Sequence, residues 1–218
     1  MKKFRILWIG VLAFALMAFV ANESRLLREE IIYPESLDLV VATVQGEDIT
    51  LRDFAVYVAH QEDTVHDQAL AYDAKDSGRY WNVRTEQGYI SHVARNEAMS
   101  MAIHDLLFFQ LYQELKIELT EEELTLIQND VDDFWTDLVD EEKDSKLGIT
   151  KEDVYQTMYK IACSQKAQAV YAGIHAVSYK DMNYSEEVFL KFLEGYEYEV
   201  NDNVLGRLDF GDITLEHK

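Results

Sequence analysis

Cysteine, proline and glycine are scarce in this sequence of 218 residues. It contains one cysteine, one proline and nine glycines. A single cysteine excludes an internal disulfide. Cys163 stands in an apolar stretch with helical spacing, and the sequence nominates no basic or histidine partner for it. This context predicts a small buried hydrophobic side chain and not a nucleophile.

Basic residues are also few, because 20 Lys and Arg stand against 41 Asp and Glu and give a net charge of −21. Such a surface repels nucleic acid and anionic lipid, so we exclude nucleic-acid binding. It favours solubility or basic partners. The chain is 48% hydrophobic and 28% charged, so it can build a core for one domain or a domain with a small appendage.

The common motifs of catalysis and metal binding are absent. The sequence has no HExxH, GxSxG, GxxxxGK[ST] or GxGxxG pattern, and no cysteine cluster accompanies its six histidines. His92 and His104 lie on one predicted helix, but about 18 Å apart at the helical rise, which is too far to share a metal ion. The acidic run from Asp130 to Asp144 lacks the glycine of a Ca²⁺ loop and is interpreted as a solvated face. We therefore expect no catalytic residue, no metal site and no cofactor.

Residues 1–22 have the pattern of a targeting segment, a signal peptide or a membrane anchor. Three basic residues precede an uncharged apolar run at residues 6–21. Cleavage after Ala21 would place Phe19 where a small residue is preferred, which favours an uncleaved anchor in the cytoplasmic membrane. Cleavage and secretion, or a buried N-terminal helix, are the alternatives. The basic start predicts an extracytoplasmic location for the rest of the chain, with residues 23–38, which include Pro34, as a linker.

Residues 39–218 are expected to form one mostly α-helical domain. The stretch from Ile90 to Leu119 lacks glycine and proline and is apolar on almost every side of a helix, which predicts a long central helix enclosed by its neighbours. Three further helices are predicted to begin after capping boxes, in which a Thr precedes an acidic residue by three positions. These boxes are Thr50/Asp53, Thr120/Glu123 and Thr150/Asp153.

Two segments are predicted to be β-strands, the first because it is short and β-branched and the second because strand-like residues alternate along it. The first is Leu39 to Val44, and the second is the C-terminal region at about 196–215. We expect the C-terminal strand to pair with the N-terminal strand, so that the two ends of the domain meet beside the helices.

Between the first two helices, the polar stretch from Gln61 to Gly88 is predicted to be irregular. It contains several aromatic residues, which either fold back onto the core or form an exposed contact surface. The candidate peptide-binding residues are the aromatic side chains of this region and of the helix before it: Tyr57, Tyr72, Tyr80, Trp81 and Tyr89.

Several of these segments together resemble the N-terminal peptide-binding domain of SurA/PrsA-type extracytoplasmic chaperones. The segment VATVQGEDITLRDF (41–54) is similar to that family's V-x-V-N-G-x-x-I-T-x-x-E-F opening. The long helix ending DLLFFQLYQELKIELTEEE (105–123) is similar to D-x-L-x-x-Q-x-A-x-x-x-G-I-x-[LV]-[TS]-x-E-E. The segment GITKED (148–153) and the helix after it resemble a later part of the same domain. The resemblance covers about residues 40–178.

The chain departs from the family pattern in three respects. Gln45 replaces the usual Asn, and Lys116 stands where the family usually has Gly. The parvulin-type prolyl isomerase domain that usually follows the helical segment has no counterpart, since only about 40 residues follow Ser178. The resemblance thus implies peptide binding without isomerase activity.

The expected function is that of an extracytoplasmic chaperone-like protein. It would bind unfolded or translocating polypeptides in an apolar groove between helices, without catalysis. Its partners would be unfolded or secreted polypeptides, and the membrane through the N-terminal segment. The alternatives are a peptidyl-prolyl cis-trans isomerase and an envelope assembly subunit that binds one dedicated partner.

Overall fold

The computed structural model describes residues 31–216. The predicted signal peptide or anchor at residues 1–22, and the first part of the predicted linker, lie outside the described residues. The described residues form two short 3-10 helices, Tyr33–Glu35 and Lys180–Met182, and eight α-helices: α1 (Leu51–Tyr72), α2 (Gly78–Trp81), α3 (Ile90–Glu114), α4 (Glu121–Asp140), α5 (Lys143–Leu147), α6 (Lys151–His175), α7 (Glu187–Leu193) and α8 (Asp202–Leu205). Five strands accompany them: β1 (Val40–Val44), β2 (Glu47–Thr50), β3 (Arg84–Thr85), β4 (Gly88–Tyr89) and β5 (Tyr198–Val200). The prediction of a mostly α-helical fold with a small β component is confirmed.

The three predicted capping boxes are all present. Thr50, Thr120 and Thr150 each accept a hydrogen bond from the backbone N–H three residues on, and the acidic side chain there accepts one from the threonine's backbone N–H. This reciprocal pair satisfies two of the four N–H groups that the first turn of a helix leaves without a partner. The caps therefore determine where α1, α4 and α6 begin.

Helix α3 occupies most of the stretch predicted to be helical from Ile90 to Leu119. It ends at Glu114 because Lys116 adopts a left-handed conformation, with φ of +51°, and the Ile117 N–H then donates to the Tyr112 carbonyl oxygen. Helix α3 packs against α6 and α1. Since α1, α3, α4 and α6 have 22, 25, 20 and 25 residues, organisation around one long central helix is not confirmed.

Helix α1 extends further than the sequence pattern indicated. The stretch from Gln61 to Gly88 was expected to be irregular, but its first part continues α1 to Tyr72. Val65 and Ala69 lie buried on this extension, and the side chain of Glu62 is buried with them. The irregular part begins only after Tyr72, and it contains the short hairpin formed by β3 and β4.

The predicted pairing of the chain ends is confirmed. Strand β1 lies between β2 and β5, and both pairs are antiparallel. In the β1–β5 pair, Ala42 faces Val200 and Val44 faces Tyr198. The predicted C-terminal strand at about 196–215 is wrong beyond residue 200, because α8 and a series of turns follow. The apolar side chains of that region are buried all the same: Val204, Leu205, Leu208 and Phe210.

The C-terminal segment is attached to α1 through the carboxylate of Glu62, which is fully buried. Glu62 Oε1 accepts a hydrogen bond from the Gly211 N–H at 2.5 Å and from the Ile213 N–H at 3.3 Å, and Oε2 accepts from the Thr214 N–H at 2.7 Å and from the Thr214 hydroxyl at 2.5 Å. Burial raises the pKa of Glu62 above its ordinary value, although these hydrogen bonds oppose the shift. One side chain of α1 thus holds a whole turn of the C-terminal segment.

Residues 31–38, which belong to the predicted linker, pack on the helical domain. Ile31 and Tyr33 are buried, and the Tyr33 hydroxyl donates to the Leu51 carbonyl oxygen at 2.7 Å. Pro34 contacts Gly148, where a Cβ atom would come within 2.5 Å of the proline Cβ. Among the helices of residues 31–216, none is long and apolar enough to cross a membrane.

Candidate functional site

The five aromatic residues singled out in the sequence do not form one surface. Tyr72 and Tyr80 lie together, with ring centroids 5.2 Å apart, at the end of α1 and on α2. Tyr89 is exposed beside His92. Trp81 is only 3% exposed and packs against Gly211 of the C-terminal segment. A peptide-binding role for these residues stays a prediction, and only Tyr57 lies at the groove described next.

A groove of about 510 Å³ opens between α1, α3, α4, α6 and the segment 178–184, which we call the strap. Helix α4 packs mainly on α6 and α5, so it leaves a gap toward α1 and α3. The apolar side chains that line this gap come from all four helices: Val56, Met101, Ile127, Phe134, Met158, Ile161 and Ala162. Met101, Phe134, Met158 and Ile161 are only half-buried, so apolar surface remains available in the groove.

A buried polar network forms the floor of the groove. The Asp105 carboxylate accepts hydrogen bonds from the Tyr57 hydroxyl at 3.1 Å and from the Ser164 hydroxyl at 3.0 Å. His104 Nδ1 lies 2.9 Å from the same carboxylate. Burial first, and then the charge of Asp105, raise the pKa of Tyr57 well above its ordinary value, so this phenol remains a donor. The network joins α1, α3 and α6.

The network has the residue types of a nucleophilic triad but not its geometry. The Ser164 hydroxyl donates to Asp105 and not to the imidazole, and His104 Nε2 is 3.0 Å from the backbone oxygen of Met182. A triad needs the imidazole placed to take the proton of the hydroxyl. The arrangement therefore positions secondary structure.

The strap is held in place from the groove floor. Besides the His104 contact to Met182, the Gln168 side chain donates to the Tyr179 carbonyl oxygen at 2.9 Å and to Asn183 Oδ1 at 3.1 Å. Gln168 and Met182 are both buried. These bonds place Tyr179 and Tyr184 at the edge of the groove, where both rings line it.

The Asp, Glu, Lys and Arg side chains that line the groove are all acidic. Within the described residues that line it, there is no lysine or arginine, whereas Asp105 and Asp130 contribute carboxylates. In residues 31–216, no group of three or more His, Cys, Asp or Glu side chains is placed to hold a metal ion.

Cys163 lies fully buried on α6, as predicted, and burial raises the pKa of its thiol.

Sequence reasoning placed the groove residues in helices but did not separate them from the core. Met101, Ile127, Phe134, Met158 and Ile161 fit the helical spacing of buried positions, and periodicity alone cannot show that a neighbouring helix diverges. A usable signal is the pair of methionines, because flexible thioether side chains are frequent on adaptable binding surfaces.

No protein-family model, curated protein or solved structure matches the chain.

Proposed function

We propose that this protein is an extracytoplasmic chaperone-like protein that binds unfolded or translocating polypeptide segments in the groove, without chemistry on them. One observation carries the proposal: an open groove of about 510 Å³ whose apolar side chains are half-buried in the free protein. Pockets of this size that are mostly apolar with a few polar groups are typical binding sites. Met101 and Met158 can adapt to clients of different shape, because their side chains are unbranched and flexible.

The turn positions support the proposed kinship with SurA/PrsA-type chaperones. Gln45 and Lys116 stand where that family's pattern has Asn and Gly, and both adopt left-handed backbone conformations with φ of +50° and +51°. Asn and Gly are the residues that tolerate this conformation best. Left-handed turns at these two positions are what Asn and Gly in the family pattern would favour, and this agreement supports the proposal.

Membrane attachment is the second element of the proposal. The basic residues and the apolar run before residue 22 would anchor the protein in the cytoplasmic membrane, or direct its secretion if they are removed. In either case the groove would meet polypeptides outside the cytoplasm that have not yet folded.

An aggregation assay tests the proposal. The full-length chain, held in phosphatidylcholine nanodiscs, is mixed with a chemically unfolded, unrelated protein, and light scattering is followed at several molar ratios. We expect suppression that scales with stoichiometry. Ala162→Trp fills the groove and should abolish suppression. Gln156→Trp, at an exposed position of the same helix that does not line the groove, is the matched control and should retain it.

The variants decide whether the groove is responsible. Circular dichroism and thermal melting of both variants must match the parent chain. Full suppression by the Ala162→Trp variant would contradict the groove assignment. Absence of suppression by the parent chain, together with capture of one specific envelope protein, would favour the dedicated-partner alternative.

A further inference from the structure

The groove continues into a second depression. A cavity of about 370 Å³ lies between α1 and the first half of α3, and it shares His60, Met101 and Tyr184 with the groove. The two together form an elongated channel that runs along α1 and α3 from the strap toward Ile90. An elongated channel suits an extended chain segment better than a compact ligand.

The charged side chains along this channel have one sign. Asp130 lies exposed at the rim of the groove, and Glu97 lies half-buried in the second depression, where it accepts a hydrogen bond from the Gln61 side chain at 2.8 Å. Among the described residues that line either part, there is no lysine or arginine. The third carboxylate, Asp105, is already engaged by three neighbouring side chains of the network. Asp130, and Glu97, whose hydrogen bond from Gln61 engages only Oε2, are therefore the carboxylates that an occupant would meet.

We infer that the channel selects extended polypeptide segments in which arginine or lysine lies beside apolar residues. This inference rests on the proposed function and names its preferred client. The apolar wall takes the apolar side chains, and each of the two depressions offers a carboxylate to a cation. An acidic segment would place like charges against Asp130 and Glu97, and a net charge of −21 repels it at longer range as well.

Three matched peptides test the selection. Each is a fluorescently labelled ten-residue peptide with the same leucine and phenylalanine residues, and two further positions carry arginine, glutamine or glutamate. Fluorescence anisotropy measures binding to the full-length chain in phosphatidylcholine nanodiscs, and empty nanodiscs serve as the blank. We expect the arginine peptide to bind more tightly than the glutamine peptide by about two- to fivefold per charge, as for exposed ion pairs. The glutamate peptide should bind least.

Variants connect the preference to the two carboxylates. Asp130→Asn and Glu97→Gln should each reduce the advantage of the arginine peptide and leave binding of the glutamine peptide unchanged. Glu122→Gln changes the net charge equally at an exposed position of α4 that lines neither part, and it should preserve the advantage. High salt should remove the advantage because the exposed charges are then screened.

The possible failures are distinguishable. Equal binding of the arginine and glutamine peptides would overturn charge selection and leave the proposed peptide binding intact. Binding of none of the three peptides would overturn both. Concentration-dependent dimers in sedimentation that Ala162→Trp abolishes would also overturn the inference, since the channel would then be occupied by a second copy of the chain.

Discussion

Replacing Glu62 by alanine should release the C-terminal segment from α1. The change removes the acceptor of four hydrogen bonds, three of them from backbone N–H groups of residues 211–214. A buried donor left without a partner costs about 1–3 kcal/mol, and three of the four hydrogen bonds to Glu62 are fully buried. We expect a loss of about 3–5 kcal/mol, which is a large part of the 5–15 kcal/mol that is ordinary for a domain. Glu62→Gln should lower the free energy of unfolding by less, because one side-chain oxygen can still accept hydrogen bonds from the C-terminal segment.

Trp81 reports whether the segment has left. Gly211 lies against its indole ring so closely that a Cβ atom there would come within 2.6 Å of the ring. With Trp8 and Trp135 replaced by phenylalanine, Trp81 is the only tryptophan. We expect its emission to shift to longer wavelength in the Glu62→Ala variant, at temperatures where circular dichroism still shows the helices.

The measurement combines thermal melting with this fluorescence. A loss of 3–5 kcal/mol corresponds to a decrease in melting temperature of about 6–20 °C for a domain of this size. Asp67→Ala, at an exposed position on the same helix, is the control and should change little. The reasoning is refuted if Glu62→Ala stays within about 1 kcal/mol of the parent chain and the Trp81 emission does not move.

Three further predictions concern single side chains. Lys116→Gly should raise the free energy of unfolding by about 0.5–1 kcal/mol, because the strain of a left-handed backbone at lysine exceeds the extra conformational entropy that glycine loses on folding. An unchanged or lower melting temperature would contradict this. The hydrogen bond from Lys166 lowers the pKa of Glu123 from 4.5 to about 2, so the stability it contributes is present above pH 4.5 and is lost as the pH falls toward 2. Between pH 5 and 2, the melting temperature should therefore fall less steeply with pH for Glu123→Gln than for the parent chain. Equal slopes would argue against the pairing of Glu123 with Lys166. Trp81→Ala should lower the free energy of unfolding, measured in urea, by about 3–5 kcal/mol, as for a buried aromatic residue. Tyr80→Ala, at a half-buried position, should lower it by about 1 kcal/mol or less. Similar losses for the two variants would place both residues in the core.

Local signals in the sequence predicted much of the fold. Each capping box lies within four residues, so the start of its helix does not depend on distant contacts. The pairing of β1 with β5 was predictable because the first segment is short and β-branched, strand-like residues alternate in the second, and the two lie at the ends of one domain. These features require only short-range chemistry or a simple topological argument.

The features that were missed depend on contacts between distant residues. Helix α1 continues through a polar stretch because Glu62 finds its partners about 150 residues later in the chain. The alternation after residue 200 predicts a strand, but the same spacing buries Leu208 and Phe210 in a segment without strand structure. Trp81 lies in a polar stretch, and its burial follows from the approach of Gly211.

The position of the groove was not predictable from the sequence. The resemblance implies an apolar groove between helices, but of the five aromatic residues proposed for peptide binding only Tyr57 lines the groove. The gap arises because α4 packs on α6 and α5 while α1 and α3 pack on one another. Such an arrangement depends on how whole helices pack, and no single residue encodes it.

The β1–β5 pair and the attachment of residues 211–214 to Glu62 also determine when the protein can be completed. A ribosome makes residues 40–44 and 62 long before residues 198–214, so β1, which by then can pair only with β2, and the Glu62 carboxylate both wait for their later partners during synthesis. A chain that crosses a membrane with its N-terminal end first would wait in the same way. Completion of its core then marks the moment at which residue 214 has emerged, and a chain stopped short of it would itself present an unpaired strand edge and a carboxylate without its hydrogen-bond donors to the quality-control machinery of its compartment.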